Sequence, residues 1–226
     1  MEEMKRKYKA ILIGGTGAVG EKVVKILLES EKFQKVTNVG RKLYESLPKE
    51  VNQVQVEMEK LEESETLKNE LKEKYDVAFL CLGTTKSDAG GAEQFRKIDF
   101  GYNTTFAKIC KENQVKHVSL VSSTGADSKS WFLYLQVKGD IENYVKELSF
   151  SSFSIFRPGL IGRGDKMRTG EKFFAFLTKA IQAETIAKAM VNVAIKRIEG
   201  EENSEPQIFH NKEIWEQEKE YNQRQK

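Results

Sequence analysis

Tyr134 and Lys138 are the two side chains whose types and spacing most directly suggest chemistry. Residues four apart on a helix share a face, so the lysine ammonium would lie beside the tyrosine hydroxyl. A positive charge there favours the phenolate, which lets the tyrosine give or take a proton at a carbonyl or alcohol oxygen. Lys138 would also hydrogen-bond a nicotinamide ribose. Taken alone, the pair is equally typical of an ordinary helix surface, so its interpretation depends on the rest of the chain.

Polar groups that follow two predicted strands supply that context. Ser123 stands eleven residues before Tyr134, at the end of a strand, where its hydroxyl would orient the oxygen of a substrate. Ser122 is an alternative for the same role. The next strand is followed by a turn that would frame the nicotinamide, formed by Arg157, Pro158, Gly159 and Leu160.

A glycine-rich turn stands where the phosphates of a dinucleotide would bind. Glycines recur at every third position between an apolar strand at residues 10–13 and a helical pattern at residues 21–30. Gly14 and Gly17 would let the backbone approach a pyrophosphate, and Gly20 would let the helix pack closely on the sheet. The free N–H groups of the helix N-terminus favour the phosphates. The predicted contacts come from Gly14, Thr16, Gly17, Ala18, Val19 and Gly20, with Thr16 adding a hydroxyl donor.

The end of the second strand bears on the choice between NAD and NADP. NAD-binding proteins usually place Asp or Glu there to hold the ribose 2′-OH. Here Gly40 is followed by Arg41 and Lys42, two cations that suit a 2′-phosphate. The sequence therefore predicts NADP(H), the alternative being that both are ordinary surface charges. A second polar strand end is expected to face the adenosine ribose, formed by Leu82, Gly83, Thr84 and Thr85.

Strand and helix patterns alternate along the chain. Short apolar or alternating runs predict strands at residues 10–13, 35–39, 51–56, 76–82, 116–122 and 153–156. Helical spacing of apolar residues predicts helices at residues 21–30, 61–74, 98–113, 131–148 and 184–198. This order predicts an α/β fold, a Rossmann-type doubly wound parallel sheet in three layers, with a small C-terminal substrate region. The polar turns described above then meet at the carboxyl edge of the sheet.

The chain is expected to form a single NAD(P)-binding domain over residues 1–226. About residues 160–210 would contribute the small substrate-binding region, where Phe173, Phe174 and Phe176 either line a pocket or pack in a helix. Residues 211–226 form a polar tail that is either helical or frayed.

Composition narrows the classes of partner. The net charge of +3, from 37 basic and 34 acidic residues, argues against nucleic acid. No apolar run is long enough to span a bilayer, and residues 1–9 lack the apolar segment of a secretory signal. Cys81 and Cys110 are too few for a disulfide framework and lie outside metal-ligand spacings. We therefore expect a cytoplasmic protein without a metal site, acting on a small molecule as a monomer or homodimer.

Together these stretches resemble the atypical short-chain dehydrogenases, and within them the Tat-interacting oxidoreductase family. The resemblance runs over about residues 8–165, and its most specific part is the string F-L-Y-L-Q-V-K-G at residues 132–139. It implies NADPH in a crevice at the carboxyl edge, with Tyr134 as proton donor or acceptor, Lys138 as its partner and Ser123 as the oxygen-orienting hydroxyl. Many short-chain dehydrogenases carry an Asn on the helix before the serine strand. Here Asp99 stands near that place and Asn103 one turn on, which leaves a proton relay through that Asn open.

The predicted function is that of an NADP(H)-dependent oxidoreductase, which transfers hydride between NADPH and a small carbonyl or alcohol substrate. The alternative is a non-catalytic NADP(H)-sensing regulatory protein on the same fold, which would not need the Tyr134 and Lys138 pair. A third hypothesis is a nucleotide-sugar isomerase or epimerase, but such enzymes usually need a larger C-terminal lobe than this sequence provides.

Overall fold

The computed structural model describes residues 7–162, 180–200 and 205–225. The strands of this part of the chain are β1 (Tyr8–Ile13), β2 (Phe33–Gly40), β3 (Asn52–Gln55), β4 (Val77–Leu80), β5 (His117–Val121), β6 (Ser152–Phe156), β7 (Ile161–Gly162), β8 (Ile181–Gln182) and β9 (Gln207–Phe209). Seven of them form one sheet in the order β3-β2-β1-β4-β5-β6-β9, and all its pairings are parallel. The order reverses between β1 and β4, which is where ligand crevices open in such sheets.

Helices cover both faces of the sheet. One face carries α1 (Ala18–Glu29), α7 (Ala183–Ile198) and α8 (Asn211–Arg224), and the other carries α2 (Glu65–Leu71), α5 (Asn103–Glu112) and α6 (Leu133–Glu147). Alternate residues of β1 serve the two layers: Leu12 packs in the first core and Ile11 in the second. This burial on both faces explains why the central strands read as continuous apolar runs. The predicted three-layer Rossmann-type fold is therefore confirmed.

Three short elements and one unusual turn lie between the main ones. A kinked 3₁₀ segment occupies Met58–Glu63, and the short helices α3 (Lys86–Ala89) and α4 (Ala92–Arg96) follow β4. A π-helical turn at Lys97–Tyr102 joins α4 to α5. The helix expected over residues 98–113 thus begins six residues earlier, at Ala92, and changes its winding on the way.

The last helix resolves the two alternatives for residues 211–226 in favour of a helix. Ile214 is fully buried and Tyr221 nearly so. Thr185 Oγ1 on α7 donates to Glu218 at 2.9 Å, and Lys196 Nζ pairs with Glu220 at 3.1 Å. The strand β9 just before it had no counterpart among the predicted elements. Phe173, Phe174 and Phe176 lie outside the described residues, so the division of residues 160–226 into substrate region and tail stays a prediction.

Candidate active site

The turn after β1 has the close packing that its glycines predict. Gly14 has a φ of +87°, and a Cβ on it would lie 2.5 Å from the backbone of Cys81. A Cβ on Gly20 would lie 2.2 Å from the Gly14 carbonyl oxygen, so α1 begins directly against the turn. The Gly17 N–H closes the turn by donating to the Gly14 oxygen at 3.0 Å. Side chains are thus excluded at positions 14 and 20 by backbone that has no room to move.

The N-terminus of α1 has no side-chain cap. Its N-cap, Gly17, has no side chain to satisfy the free N–H groups of the first turn, which Ala18, Val19 and Gly20 supply. Beside it lies a crevice of about 1000 Å³, whose walls include Gly14, Gly15 and Thr16. A dinucleotide fits such a site, because its phosphates would meet uncapped N–H groups and only the short Thr16 side chain of the glycine turn borders the crevice.

Asn38 on β2 is a part of this site that the sequence did not single out. It is 2% exposed, and its Oδ1 accepts a hydrogen bond from the Gly15 N–H at 3.0 Å. A Cβ on Gly15 would lie 2.4 Å from the same oxygen. Asn38 therefore holds the shape of the glycine turn from the neighbouring strand. The available signal was a polar residue within the apolar run at residues 35–39.

The two predicted cations after β2 behave differently. Arg41 lines the crevice, whereas Lys42 does not; its ammonium lies 5.4 Å from the ring centroid of Tyr44, which does line it. Acidic residues of the segment after β3 form a facing wall, namely Glu57, Glu59, Glu63 and Glu65. The crevice thus carries charges of both signs where the ends of β2 and β3 border it.

One of these acids is already engaged. Glu59 accepts a hydrogen bond from the Tyr102 hydroxyl at 2.7 Å and pairs with Lys97 at 3.1 Å. The Tyr102 hydrogen bond, helped by Lys97, lowers the pKa of Glu59 to about 2. Partial burial and the same hydrogen bond raise the pKa of Tyr102 to about 12. The Tyr102–Glu59 contact therefore joins the π-helical turn to the acidic wall.

The strand end after β4 faces the same crevice. Leu82, Gly83 and Thr84 line it, while Thr85 instead caps α3 by accepting from the Asp88 N–H at 3.2 Å. Asn103 supports this loop, since its Nδ2 donates to the backbone carbonyl oxygens of Leu82 at 3.0 Å and of Asp99 at 2.7 Å. Three of the four predicted loop residues thus reach the crevice.

Tyr134 and Lys138 share one face of α6, as their spacing predicts. The Lys138 Nζ lies 5.9 Å from the centroid of the Tyr134 ring. The tyrosine is 43% exposed and the lysine 5% exposed, so the phenol is open to a substrate while the ammonium is not. Lys138 approaches the crevice through Gly83, where a Cβ would lie 3.8 Å from Nζ.

Asp99 is the charged partner of Lys138. The Lys138 Nζ lies 2.9 Å from Asp99 Oδ1, and the Asp99 side chain is fully buried. Burial alone would lower the pKa of Lys138, but the Asp99 carboxylate and, less strongly, Tyr134 raise it above its usual value. The sequence had marked Asp99 only as a departure from a family asparagine. The π-helical turn that carries it is what directs it at Lys138.

The structure separates the two serines after β5. Ser122 is buried, and its hydroxyl donates to Glu142 on α6. Glu142 also accepts two hydrogen bonds from the Arg157 guanidinium, one from Nε at 2.9 Å and one from Nη2. Ser123 is half-buried and makes only a local 3.3 Å contact to the Thr124 oxygen. Ser122 is therefore committed to a structural network, and Ser123 keeps the freer hydroxyl.

The loop after β6 is fixed from three sides. Thr124 N–H donates to the Pro158 oxygen, and Ile181 N–H donates to the Leu160 oxygen, each at 2.9 Å. Gly159 N–H donates to Asn211 Oδ1 at 2.9 Å, at the start of α8. Pro158, Gly159 and Leu160 do not line the 1000 Å³ crevice, nor do Tyr134, Lys138 and Ser123. Six of the predicted phosphate and adenosine contacts line the crevice, namely Gly14, Thr16, Arg41, Leu82, Gly83 and Thr84. The other six are absent from its walls, namely Gly17, Ala18, Val19, Gly20, Lys42 and Thr85, and the predicted catalytic residues also lie outside them.

A parallel sheet with a glycine turn at its switch point and an uncapped helix beside a long crevice defines a Rossmann-type dinucleotide-binding protein. The chain belongs to the NAD(P)H-binding family, whose model matches residues 14–197. An NAD(P)-binding domain related to oxidoreductases is thus established for it.

Relatives from animals and fungi extend over most of the chain. Protein HTATIP2 of Rattus norvegicus is 39% identical over 206 residues, which cover 84% of this chain and 83% of the relative. FMP52 of Debaryomyces hansenii, named a mitochondrial protein, is 36% identical over 199 residues, 82% and 87% of the two chains. The resemblance to the Tat-interacting oxidoreductase family is therefore confirmed.

Solved structures share the fold at low identity. MoeE5 in complex with UDP-glucose and NAD has a TM-score of 0.67 at 12% identity, covering 89% of this chain and 75% of that one. WbmH of Bordetella bronchiseptica in complex with NAD⁺ has a TM-score of 0.65 at 14% identity, covering 91% and 86%. These likenesses support the Rossmann-type fold.

Each helix within the described ranges is too short or too polar to cross a membrane. The fungal relatives are named mitochondrial, so a cytoplasmic location stays a prediction for this chain.

Proposed function

We propose that this protein is an NADP(H)-dependent oxidoreductase of the short-chain dehydrogenase type, acting on a small carbonyl or alcohol substrate. The observation that carries the proposal is the buried Lys138 ammonium, which lies against Gly83 of the crevice and on the same helix face as the exposed Tyr134. A purely structural lysine would not need a neighbouring phenol that is open to solvent.

The proposed roles follow from exposure and contacts. A bound nicotinamide cofactor would supply or accept the hydride. The Tyr134 hydroxyl would transfer the proton at the substrate oxygen, with the Lys138 ammonium on the same face of the helix. Ser123, whose hydroxyl makes only a weak local contact, would orient that oxygen.

The preference for NADP(H) over NAD(H) is proposed from the crevice charges. Arg41 lines the crevice at the end of β2, where an NAD-binding protein would carry an acid. Glu59 on the facing wall is occupied by Tyr102 and Lys97, which leaves Arg41 available to a 2′-phosphate. Lys42, which sits over Tyr44, would contribute less directly.

Calorimetric titration with NADPH and, separately, NADH is the first experiment. We expect NADPH to bind markedly more tightly, and oxidation of NADPH to be detectable with at least one aldehyde, ketone or quinone in a panel. Failure to bind either nucleotide would overturn the proposal.

A pair of tyrosine variants on one helix then tests catalysis. Tyr134→Phe should bind NADPH normally and lose turnover. The control, Tyr144→Phe, removes a hydroxyl from the same helix, where the ring packs edge-on against Phe100 at 6.0 Å, and should keep turnover. Tight NADPH binding without turnover on any carbonyl would instead favour the non-catalytic sensor.

A further inference from the structure

Asp99 lies where the catalytic helix meets the crevice loop. It is fully buried on the π-helical turn, where Oδ1 forms an ion pair without a hydrogen bond and Oδ2 accepts a hydrogen bond. Oδ1 lies 2.9 Å from the Lys138 Nζ, and Oδ2 accepts the Thr84 N–H at 2.8 Å. One carboxylate thus joins the ammonium on α6 to the backbone of the loop after β4.

We propose that Asp99 is the positioning residue for Lys138, holding its ammonium charged and beside Gly83 so that it can hydrogen-bond the ribose of a bound NADP(H). The inference rests on the proposed function, because it assigns Lys138 to the cofactor. In this arrangement, a direct ion pair between Asp99 and Lys138 replaces the asparagine relay of many short-chain dehydrogenases.

The contacts leave little freedom to either partner. A lysine that is 5% exposed loses most of its hydration, so it stays charged only if a carboxylate compensates. The groups that bear on Lys138 are Asp99 from the π-helical turn, Cys81 from the end of β4, and Tyr134 and Glu142 from its own helix. Among them only Asp99 forms an ion pair with the ammonium within the described residues.

The Thr84 hydrogen bond adds a geometric argument. A carboxylate held at one oxygen only can rotate about its side-chain bonds, whereas one held at both oxygens is fixed in orientation. Since Thr84 itself lines the crevice, the fixed point belongs to the nucleotide site. Asp99 therefore sets the distance between the ammonium and the crevice wall.

Asp99→Asn is the test substitution, because asparagine keeps the shape and can still accept from Thr84 but carries no charge. The control is Asp140→Asn, the same change on α6 at a half-buried carboxylate that pairs with the exposed Arg96. Two quantities are measured across about pH 6 to 11. One is the charge state of Lys138 in the free protein, followed by NMR of nitrogen-labelled lysine and assigned with Lys138→Met. The other is the affinity for NADPH by calorimetry.

We expect the Lys138 titration midpoint to fall by about 1–3 pH units in Asp99→Asn and to stay in place in Asp140→Asn. As the pH rises through this lowered midpoint, the NADPH affinity of Asp99→Asn should fall by at least about tenfold, to the level of Lys138→Met. An unchanged Lys138 midpoint would overturn the pairing. A shifted midpoint with NADPH affinity unaltered, while Lys138→Met binds weakly, would overturn the positioning role alone.

Failure of the proposed function gives a different pattern. If the unmodified protein binds no NADPH, or Lys138→Met binds it normally, the cofactor role of Lys138 fails while the titration still reports the ion pair. If Asp99→Asn does not fold, Asp99→Asn/Lys138→Met, which leaves no unpaired buried charge, should regain stability relative to Lys138→Met. A double variant less stable than Lys138→Met would contradict the pairing.

Discussion

Replacing Glu142 with glutamine should destabilise this protein far more than an ordinary surface charge substitution. Glu142 is 5% exposed and binds two partners, the Ser122 hydroxyl and the Arg157 guanidinium. Glutamine preserves the shape but removes the charge, and one of its two oxygens becomes an NH₂ group that faces a donor. Arg157 is then left without its counter-ion at the junction of β5, β6 and α6.

The size of the effect follows from the burial of the two partners. Removing one member of a fully buried ion pair costs about 3–5 kcal/mol. The Arg157 side chain keeps 22% of its exposure, so water can recover part of its hydration. We therefore expect the free energy of unfolding to fall by about 2–3 kcal/mol, slightly below that range.

Urea unfolding of the two proteins measures this difference, provided that the dependence on denaturant stays the same. Glu29→Gln is the matched control, since it makes the same change in an exposed pair with Lys25, 3.8 Å apart with side chains 60% and 66% exposed. That control should cost less than about 0.5 kcal/mol. If both variants lose the same small amount, the buried network does not stabilise the fold as argued.

Three further variants test the nucleotide site. Tyr134→Phe should reduce turnover by about 10²–10⁴-fold, the usual contribution of general acid–base catalysis, with NADPH affinity nearly intact; equal turnover would remove the tyrosine from the mechanism. Arg41→Glu should weaken the binding of NADPH by at least about tenfold in calorimetry and that of NADH far less, because it reverses a charge that would face the 2′-phosphate. An unchanged preference for NADPH would show that Arg41 does not bind the 2′-phosphate. Gly20→Ala should cost about 1–3 kcal/mol in urea unfolding, because its Cβ would lie 2.2 Å from the Gly14 oxygen. Gly101→Ala is the control, because a Cβ there would meet nothing within 4 Å, and it should leave the free energy of unfolding nearly unchanged. An equal loss of stability in both variants would refute the packing argument.

Local patterns in the sequence were enough for the sheet and the glycine turn. The spacing of Gly14, Gly17 and Gly20 between a strand and a helix reflects constraints within a few residues, and the structure keeps them there. The central strand β4 was equally readable, because burial on both faces makes each of its four positions, Val77–Leu80, apolar. The strand β9 was missed because only Gln207–Phe209 pair with β6, a run too short to show a period.

The parts of the site that were missed depend on contacts distant in sequence. Asp99 and Lys138 are 39 positions apart, and no spacing rule connects a π-helical turn to a later helix. The choice between Ser122 and Ser123 also depended on a partner, since Glu142 comes from another element. Asn38 could have been found from the sequence, because a polar side chain within a buried strand is visible there. Such a side chain needs a hydrogen-bond partner.

The hydrogen bond from Gly159 to Asn211 also sets an order of events during synthesis. The two residues are 52 positions apart, and β9, which pairs with β6, lies just before Asn211. A ribosome adds about 5–20 residues per second, so the loop after β6 exists for about 3–10 seconds before its anchor is made. The glycine turn and the strands beside it have by then been synthesised, whereas the loop after β6 is anchored only once α8 has been made. The nucleotide-binding half of the sheet is therefore able to form first, with the opposite wall completed late in folding.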